Sequence, residues 1–437
     1  MYTSYIGKKF LEYYKEEYSK PQNYSAEQFF DEVMFPIFFD DERHLMHVGN
    51  SPFFQKVSDA DKELHGTRTK AQLARFKKKI LSGDFGGDIL VGSGSSDSSA
   101  TTSGQISDLK IIQVSEEAYL SWIGQALAVS VKGGIANLID KREILLLLYQ
   151  GWSLYGEFIK QTPGLKDKQI ETWNGNYLKQ MLNAGNCEFN ASSVEVEITL
   201  GKLAIQTIQW TELIFELSKK YKNDTIFSYV YVLSQTNTTV GMISFFLNEI
   251  YELYELRDMI FINEKDTVLS DNQIERLLPF YSFKQACMQG TIGLKSIEPR
   301  GLRNYLPKGS FDYSKGNDIN IQKEDNFPIY KLWIIAMLNK KELLDLSREF
   351  AKLLKNSVEK KQTSEGRAKS TQQQFVKDIF DSKTSKQFVD NITNLVDNAN
   401  SDILRKMAEE AILMPRDNFP LFITLIKFEY SILNNKE

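Results

Sequence analysis

The chain has 437 residues, of which 42% are hydrophobic and 25% are charged, the composition of a folded globular protein rather than a disordered one. Its length allows two or three domains. With 53 basic and 57 acidic residues, the net charge is −4. This argues against a protein that coats nucleic acid by bulk charge, although it allows a local basic groove.

Simple sequence patterns argue against several other classes of protein. The two cysteines, Cys187 and Cys287, offer neither a disulfide framework nor a CxxC zinc site, which fits a reducing cytoplasm. Residues 1–5 lack the basic-then-apolar pattern of a secretion signal, so none is expected. The most apolar runs, 144–149 and 332–338, are shorter than the ~20 residues of a membrane span. The GxxxxGK[ST], GxGxxG and GxSxG motifs do not occur, so we expect neither nucleotide-driven nor serine-hydrolase chemistry. Together with the cysteine count and the short apolar runs, this predicts a protein without a cofactor, without membrane association and in the cytoplasm.

The first part of the chain is predicted to be mainly helical. Apolar residues three and four apart predict helices over 5–18, 26–33 and 69–81. Ser25 is a candidate N-cap of the second helix, and Pro36 is expected to end it.

A β-rich stretch is expected next. The runs 88–91 and 106–114 predict a hairpin whose tip, 92–105, is a flexible Gly/Ser loop. A third β-like run covers 127–131, and Gly133-Gly134 ends it.

The remaining chain alternates helix-like and strand-like patterns and then becomes wholly helical. We expect strands over 194–200 and 227–233, and helices over 140–160, 169–182, 202–221, 240–262, 328–355, 371–381, 385–396, 402–413 and 418–433. The sequence therefore predicts a mainly helical α+β protein. An N-terminal α/β domain covers 1–325, and a C-terminal helical bundle covers 326–437.

Three residues suggest a metal-dependent nuclease. Asp88 opens one β-like run, and Asp108 and Lys110 lie on one face of the next. Two carboxylates of this kind hold Mg²⁺ while the lysine polarises the attacking water. The alternative is an ordinary solvated hairpin, because D-x-K triplets are frequent in a charged chain.

The three histidines fall close together, as His44, His47 and His65, just after Asp40–Glu42. Such a group could bind a metal, but ordinary surface histidines are the alternative.

A basic stretch without acidic residues runs from Gly66 to Lys79. On a helix, it would present a positive flank that can neutralise phosphates. Its candidate contacts are Arg75, Lys77, Lys78 and Lys79. A second basic segment covers 340–386, with 12 basic and 7 acidic residues. A solvated helix face is the alternative in both cases.

Four turn-like segments combine glycine with polar side chains: 132–134, 173–176, 235–239 and 299–304. Glycine lets a backbone approach a phosphate or base closely, and Asn, Gln and Arg pair with base edges. The candidate residues are Lys132, Gly133, Gly134, Gln235, Asn237, Arg300 and Arg303. Ordinary turns are the alternative, with Thr236 or Asn237 capping a helix from Val240.

Four longer stretches carry a resemblance to a known family. They are ALAVSVKGGIANL (126–138), PGLKDKQIETWNGNYL (163–178), SQTNTTVGMISFFLNEIYELYE (234–255) and MPRDNFPLFITLIKFEYSIL (414–433). Their order, together with the terminal all-helical bundle, resembles the large subunit of type I CRISPR surveillance (Cascade) complexes.

This resemblance implies a non-catalytic role in antiviral defence. The subunit would bind near the 5′ end of the guide RNA, read the protospacer-adjacent motif in target DNA and support R-loop formation. Its partners would be guide RNA, target DNA, the other Cascade subunits and a recruited helicase-nuclease. The glycine-bearing turns and the basic stretch are the expected contacts.

Overall fold

The structure is a computed structural model. It describes residues 1–41, 43, 45–46, 51–83, 86–93, 115–183, 188–233, 235–260, 291–299, 301–310, 327–364, 369–395 and 400–434. The mainly helical α+β fold is confirmed. The chain divides into two compact units, Met1–Leu247 with Cys287–Ile292, and Asn248–Ala286 with Gly293–Glu437. This division lies near 247, whereas the sequence suggested a boundary near 325.

The first unit begins with helix α1, Tyr2–Glu17. Ser25 and Gln28 form the expected capping box at the start of α2, Ala26–Phe29. The chain then passes through one π-helical segment, Phe30–Met34, into α3, Phe35–Phe38. The expectation that Pro36 ends this helix is wrong. The segment just before it is π-helical, with the Phe35 amide bonded to the Phe30 carbonyl, and this wider turn leaves room for the proline ring, which in a regular α-helix clashes with the carbonyl four residues earlier.

Helices α4, Asp59–His65, and α5, Arg68–Ser82, follow. The predicted strand at 88–91 is wrong, because this segment forms turns. Two of its backbone groups bond to side chains of α6, Ser115–Ala126. Trp122 Nε1 donates to the Ile89 carbonyl at 2.7 Å, and the Val91 amide donates to Ser121 Oγ at 3.0 Å. The predicted partner strand, 106–114, and most of the predicted loop, 92–105, lie outside the described residues.

A five-stranded sheet forms the centre of the first unit, in the order β1-β2-β5-β6-β7. Its strands are β1 Val129–Val131, β2 Ile135–Asp140, β5 Thr225–Val232, β6 Gln235–Phe246 and β7 Thr291–Ile292. Neighbouring strands are antiparallel except β6 and β7, which are parallel.

Residues 240–246 belong to β6 rather than to the predicted helix. Buried Ile243 and Phe245 alternate with exposed Met242, the period of a strand.

Helices α7 Arg142–Gln150, α8 Trp152–Gln161, α9 Ile170–Asn183 and α10 Trp210–Lys220 complete this unit. A small hairpin, β3 Val196–Thr199 and β4 Lys202–Ile205, lies between α9 and α10. The predicted helix over 202–221 is therefore shorter, since β4 takes its first residues.

The described part of the second unit is helical apart from short turns and irregular segments. Its helices are α11 Leu247–Ile260, α12 Phe327–Leu338, α13 Glu342–Ser364, α14 Lys369–Phe380, α15 Ser385–Thr393, α16 Ser401–Leu413 and α17 Phe419–Asn434. The first residue of α11, Leu247, is grouped with the first unit. Helices α12 and α17 are apolar and almost entirely buried, so they form the core of this unit. Among the described residues, no helix has the length and apolarity needed to cross a membrane.

Candidate nucleic-acid interface

Two predicted contact segments meet at one end of the sheet. Residues 132–134 form the β1–β2 turn, Leu233 follows the end of β5, and Gln235 begins β6. Because β2 pairs antiparallel with β5, with Ile135 opposite Val232, both turns lie at the same end. The Leu233 amide donates to the Gly134 carbonyl at 2.9 Å. We call residues 132–134, Leu233 and Gln235 the turn edge.

The β1–β2 turn depends on its two glycines. Gly133 and Gly134 have φ values of 106° and 72°, a region that favours glycine. A Cβ added at either position would meet no atom within 4 Å, so both positions are sterically open. Lys132 is exposed, and its amide donates to the Ile208 carbonyl at 2.9 Å. A backbone of this shape allows close approach by a ligand, with one cation beside it.

The start of β6 is irregular. Opposite β5, the register shifts between Val230 and Tyr231 and again between Tyr231 and Val232. The idea that Thr236 or Asn237 caps a helix from Val240 is wrong, because this segment is a strand. The side chains of Gln235 and Asn237 lie outside the described part of the structure.

Helix α9 packs against β1, the strand that leads into the turn edge. Asn174 Nδ2 donates to the carbonyls of Ala126 and Ala128 at 2.8 and 2.9 Å, just before β1. A Cβ on Gly175 would lie 2.9 Å from the Ser130 carbonyl oxygen, so helix and strand are in close contact. The prediction that 173–176 forms a turn is therefore wrong. This segment lies inside α9 and holds β1 in place.

A buried polar chain connects the sheet to α6 and α9. Tyr231 Oη donates to Gln125 Oε1 at 3.0 Å, and Gln125 Nε2 donates to Glu171 Oε1 at 2.8 Å. Burial raises the pKa of Glu171, although hydrogen bonds to its carboxylate oppose the shift. Burial also raises the pKa of Tyr231. These groups fix the strand next to the turn edge, and sequence reasoning missed them because the contacts span distant segments.

An apolar strip on the sheet was also missed. Phe227 and Met242 are 51% and 42% exposed, on the same face as Tyr229. The Tyr2 ring stacks on Tyr229 at 3.8 Å between centroids. We call Tyr2, Phe227, Tyr229 and Met242 the apolar strip. The alternation of the 225–232 segment could have revealed its β5 members.

The predicted basic track on α5 is largely occupied by ion pairs. Arg75 pairs with Asp61, and Lys79 Nζ lies 2.7 Å from Asp88 Oδ2. Lys78 is exposed and has no ion-pair partner among the described residues. Of these three cations, Lys78 is the most accessible to a phosphate.

Lys77 is held by two acids, Asp31 and Glu27, the latter at 3.1 Å. Burial lowers the pKa of Lys77, but the hydrogen bonds and charges of these acids outweigh it and raise that pKa overall. The stabilisation that comes from the raised pKa of Lys77 is therefore complete below the ordinary lysine pKa and is lost as the pH rises through the raised value.

The fourth predicted segment, 299–304, belongs to the second unit. The Arg303 guanidinium donates to both carboxylate oxygens of Glu298, at 2.9 and 3.3 Å. These hydrogen bonds raise the pKa of Arg303. The Arg303 side chain is still 68% exposed. Arg300 lies outside the described residues.

The described part of the structure does not bring the candidate nuclease residues or the candidate metal-binding residues together in one site. Asp88 lies in a turn and pairs with Lys79, while Asp108 and Lys110 lie outside the described residues. His44 and His47 are also outside them, and His65 ends α4. The part of the chain that the structure describes contains no group of three or more His, Cys, Asp or Glu residues able to hold a metal ion.

Comparison with known proteins returns no relative. No family model, no curated protein and no solved structure matches the chain.

Proposed function

We propose that this chain is the non-catalytic large subunit of a type I CRISPR surveillance complex. In this role it recognises the protospacer-adjacent motif in target DNA and supports R-loop formation. The proposal rests first on the four stretches that resemble this family. The observation that carries it structurally is the turn edge, where the Gly134 carbonyl accepts from the Leu233 amide at 2.9 Å.

A motif reader of this kind needs few contacts. Guide pairing reads most of the target, so the protein reads only a short duplex segment at close range. The open glycines and exposed Lys132 suit this task, because a backbone without Cβ atoms can lie against the duplex while a cation contacts phosphate. This arrangement requires no overall positive charge, in agreement with the net charge of −4.

The apolar strip fits the next step, strand separation. Exposed aromatic and thioether groups can stack with unpaired bases of any sequence. Phe227 and Met242, on the two strands that meet at the turn edge, are candidates for this contact.

The helical unit takes the supporting role that the resemblance implies. Its segment 340–386 has 12 basic and 7 acidic residues, and a positive edge can follow a displaced single strand. In this proposal it also recruits the helicase-nuclease, and the chain as a whole binds guide RNA and the other Cascade subunits.

Two turn-edge variants test the motif-reading role in the assembled complex. Gly134→Asn adds a side chain at a φ that asparagine tolerates. It is expected to lower the preference for motif-bearing over motif-free duplex by about tenfold, since its side chain blocks close approach. Lys132→Ala is expected to weaken binding to both duplexes and to reduce the salt dependence by about one phosphate contact. Fluorescence anisotropy at several salt concentrations measures both effects.

The β3–β4 hairpin supplies matched controls. Gly201, with φ 75°, and exposed Lys202 have the same residue types in a comparable turn. Gly201→Asn and Lys202→Ala should leave duplex affinity and preference unchanged. If the turn-edge variants behave like these controls, the turn edge does not read the motif.

A further inference from the structure

The backbone of Lys132 is anchored to the segment that precedes α10. The ladder between β1 and β2 ends with Val131 opposite Ile135, so Lys132 lies just beyond the paired strands. Its amide donates to the Ile208 carbonyl at 2.9 Å. The two residues that follow are glycines with positive φ values, which leave the chain free to turn. The hydrogen bond to Ile208 therefore sets the place where Lys132 leaves the sheet.

Residues 206–208, which we call the linker, join β4 to α10 and are held by two amide side chains. Gln169 Oε1, just before α9, accepts from the Ile205 amide at 2.7 Å. Asn176 Nδ2, inside α9, donates to the Gln206 carbonyl at 2.8 Å. Because Ile208 follows Gln206 by only two residues, the position of its carbonyl depends on this second hydrogen bond.

The Asn176 side chain is itself fixed by α9. Its Nδ2 also donates to the Thr172 carbonyl at 3.1 Å, one helical turn earlier, and the side chain is half-buried. The neighbouring Gly175 shows how closely the same helix approaches both partners. A Cβ added there would lie 2.9 Å from the Ser130 carbonyl oxygen of β1 and 3.3 Å from the Ile208 side chain. Helix α9 thus sets the linker relative to β1.

We propose that Asn176 is a positioning residue for Lys132 and acts on it through the linker. Asn176 holds the Gln206 carbonyl, the linker carries the Ile208 carbonyl, and that carbonyl holds the Lys132 amide. Without the Asn176 amide, the linker is released and the Lys132 amide exchanges its partner for water. Binding of a phosphate must then order the lysine, which lowers the affinity. This inference rests on the proposed phosphate contact of Lys132.

Hydrogen exchange of the full chain tests the structural half of this proposal without any ligand. We expect Asn176→Ala to raise the exchange rate of the Lys132 amide by at least about tenfold, because its opening no longer breaks a fixed hydrogen bond. Exchange in β2, residues 135–140, should stay unchanged. Alanine has a higher helix propensity than asparagine, so the substitution does not weaken α9 itself.

A double-mutant cycle in the assembled complex tests the functional half. Asn176→Ala should lower the affinity for motif-bearing and motif-free duplex by about threefold or more, but by no more than Lys132→Ala does. Added to Lys132→Ala, it should have no further effect, because the lysine that it positions is then absent. The matched control is Gln180→Ala, which removes another α9 amide whose partner is the Asn190 backbone. It should leave duplex affinity unchanged.

The outcomes separate this inference from the motif-reading role. An equal loss of affinity with and without Lys132→Ala would indicate general loss of structure and would overturn the inference. Unchanged exchange at Lys132, or unchanged affinity in Asn176→Ala while Lys132→Ala binds weakly, would also overturn it. If Lys132→Ala itself binds both duplexes like wild type, the phosphate contact is wrong, and the role of Asn176 in duplex binding is wrong with it.

Discussion

Replacing Gly124 by alanine is expected to destabilise the first unit by at least about 3 kcal/mol. A Cβ on Gly124 would lie 1.9 Å from the Thr3 carbonyl oxygen, and one on Gly7 would lie 2.0 Å from the Leu120 carbonyl oxygen. These obstacles are backbone atoms, so no side-chain rotation can relieve them. Helices α1 and α6 must therefore separate, with loss of the packing that also carries the Tyr2–Tyr229 stack.

Urea denaturation followed by circular dichroism measures this loss. Gly156→Ala is the matched control, because its Cβ would meet only the end of the Leu45 side chain, at 3.3 Å. We expect the control to change stability by less than about 1 kcal/mol. The double variant Gly7→Ala/Gly124→Ala should lose less than the sum of the single losses, since one separation of the helices accommodates both methyl groups. A Gly124→Ala midpoint equal to wild type would contradict this account of the helix contact.

Breaking the buried ion pair of the second unit is expected to cost about 3–5 kcal/mol. Lys331 of α12 and Glu429 of α17 lie 2.8 Å apart, Nζ to Oε1, with side chains only 10% and 7% exposed. Arg348 Nε is 3.6 Å from the other oxygen of Glu429. Glu429→Leu leaves the Lys331 ammonium buried without its partner, which is the source of the large cost.

A double-mutant cycle in urea isolates this pair. Lys331→Met/Glu429→Leu should recover most of the stability lost by Glu429→Leu alone, because neither buried charge then remains. The matched control is the exposed pair of Arg405 and Glu409, 4.0 Å apart, whose coupling should be below about 1 kcal/mol. Additive losses at positions 331 and 429 would show that the two charges do not interact.

Local signals predicted the parts of the fold that depend on neighbouring residues. The stripe of α1 and the Ser25–Gln28 capping box follow from spacing of three and four residues, and both are present. The 88–91 segment has the composition of a strand, but two of its backbone groups bond to the side chains of Ser121 and Trp122. That outcome depends on α6, which is distant in sequence.

The same distinction between local features and contacts of distant segments applies to the candidate site. The glycine turn at 133–134 was visible because positive φ is a local property of glycine. Its closeness to residue 235 was not, since it depends on the register of β2 against β5. The role of Asn174 was misjudged because an Asn-Gly pair usually marks a turn, whereas here both residues are needed for close packing of α9 on β1.

Copurification with guide RNA tests whether this chain is a subunit of a type I CRISPR surveillance complex. The full chain, tagged, is produced together with the proteins encoded beside its gene and a CRISPR transcript, and the RNA bound to the purified protein is sequenced. If the chain has this role, we expect a processed guide RNA of uniform 5′ end in a stable complex with further subunits. Purification of the tagged chain without guide RNA under these conditions would contradict it.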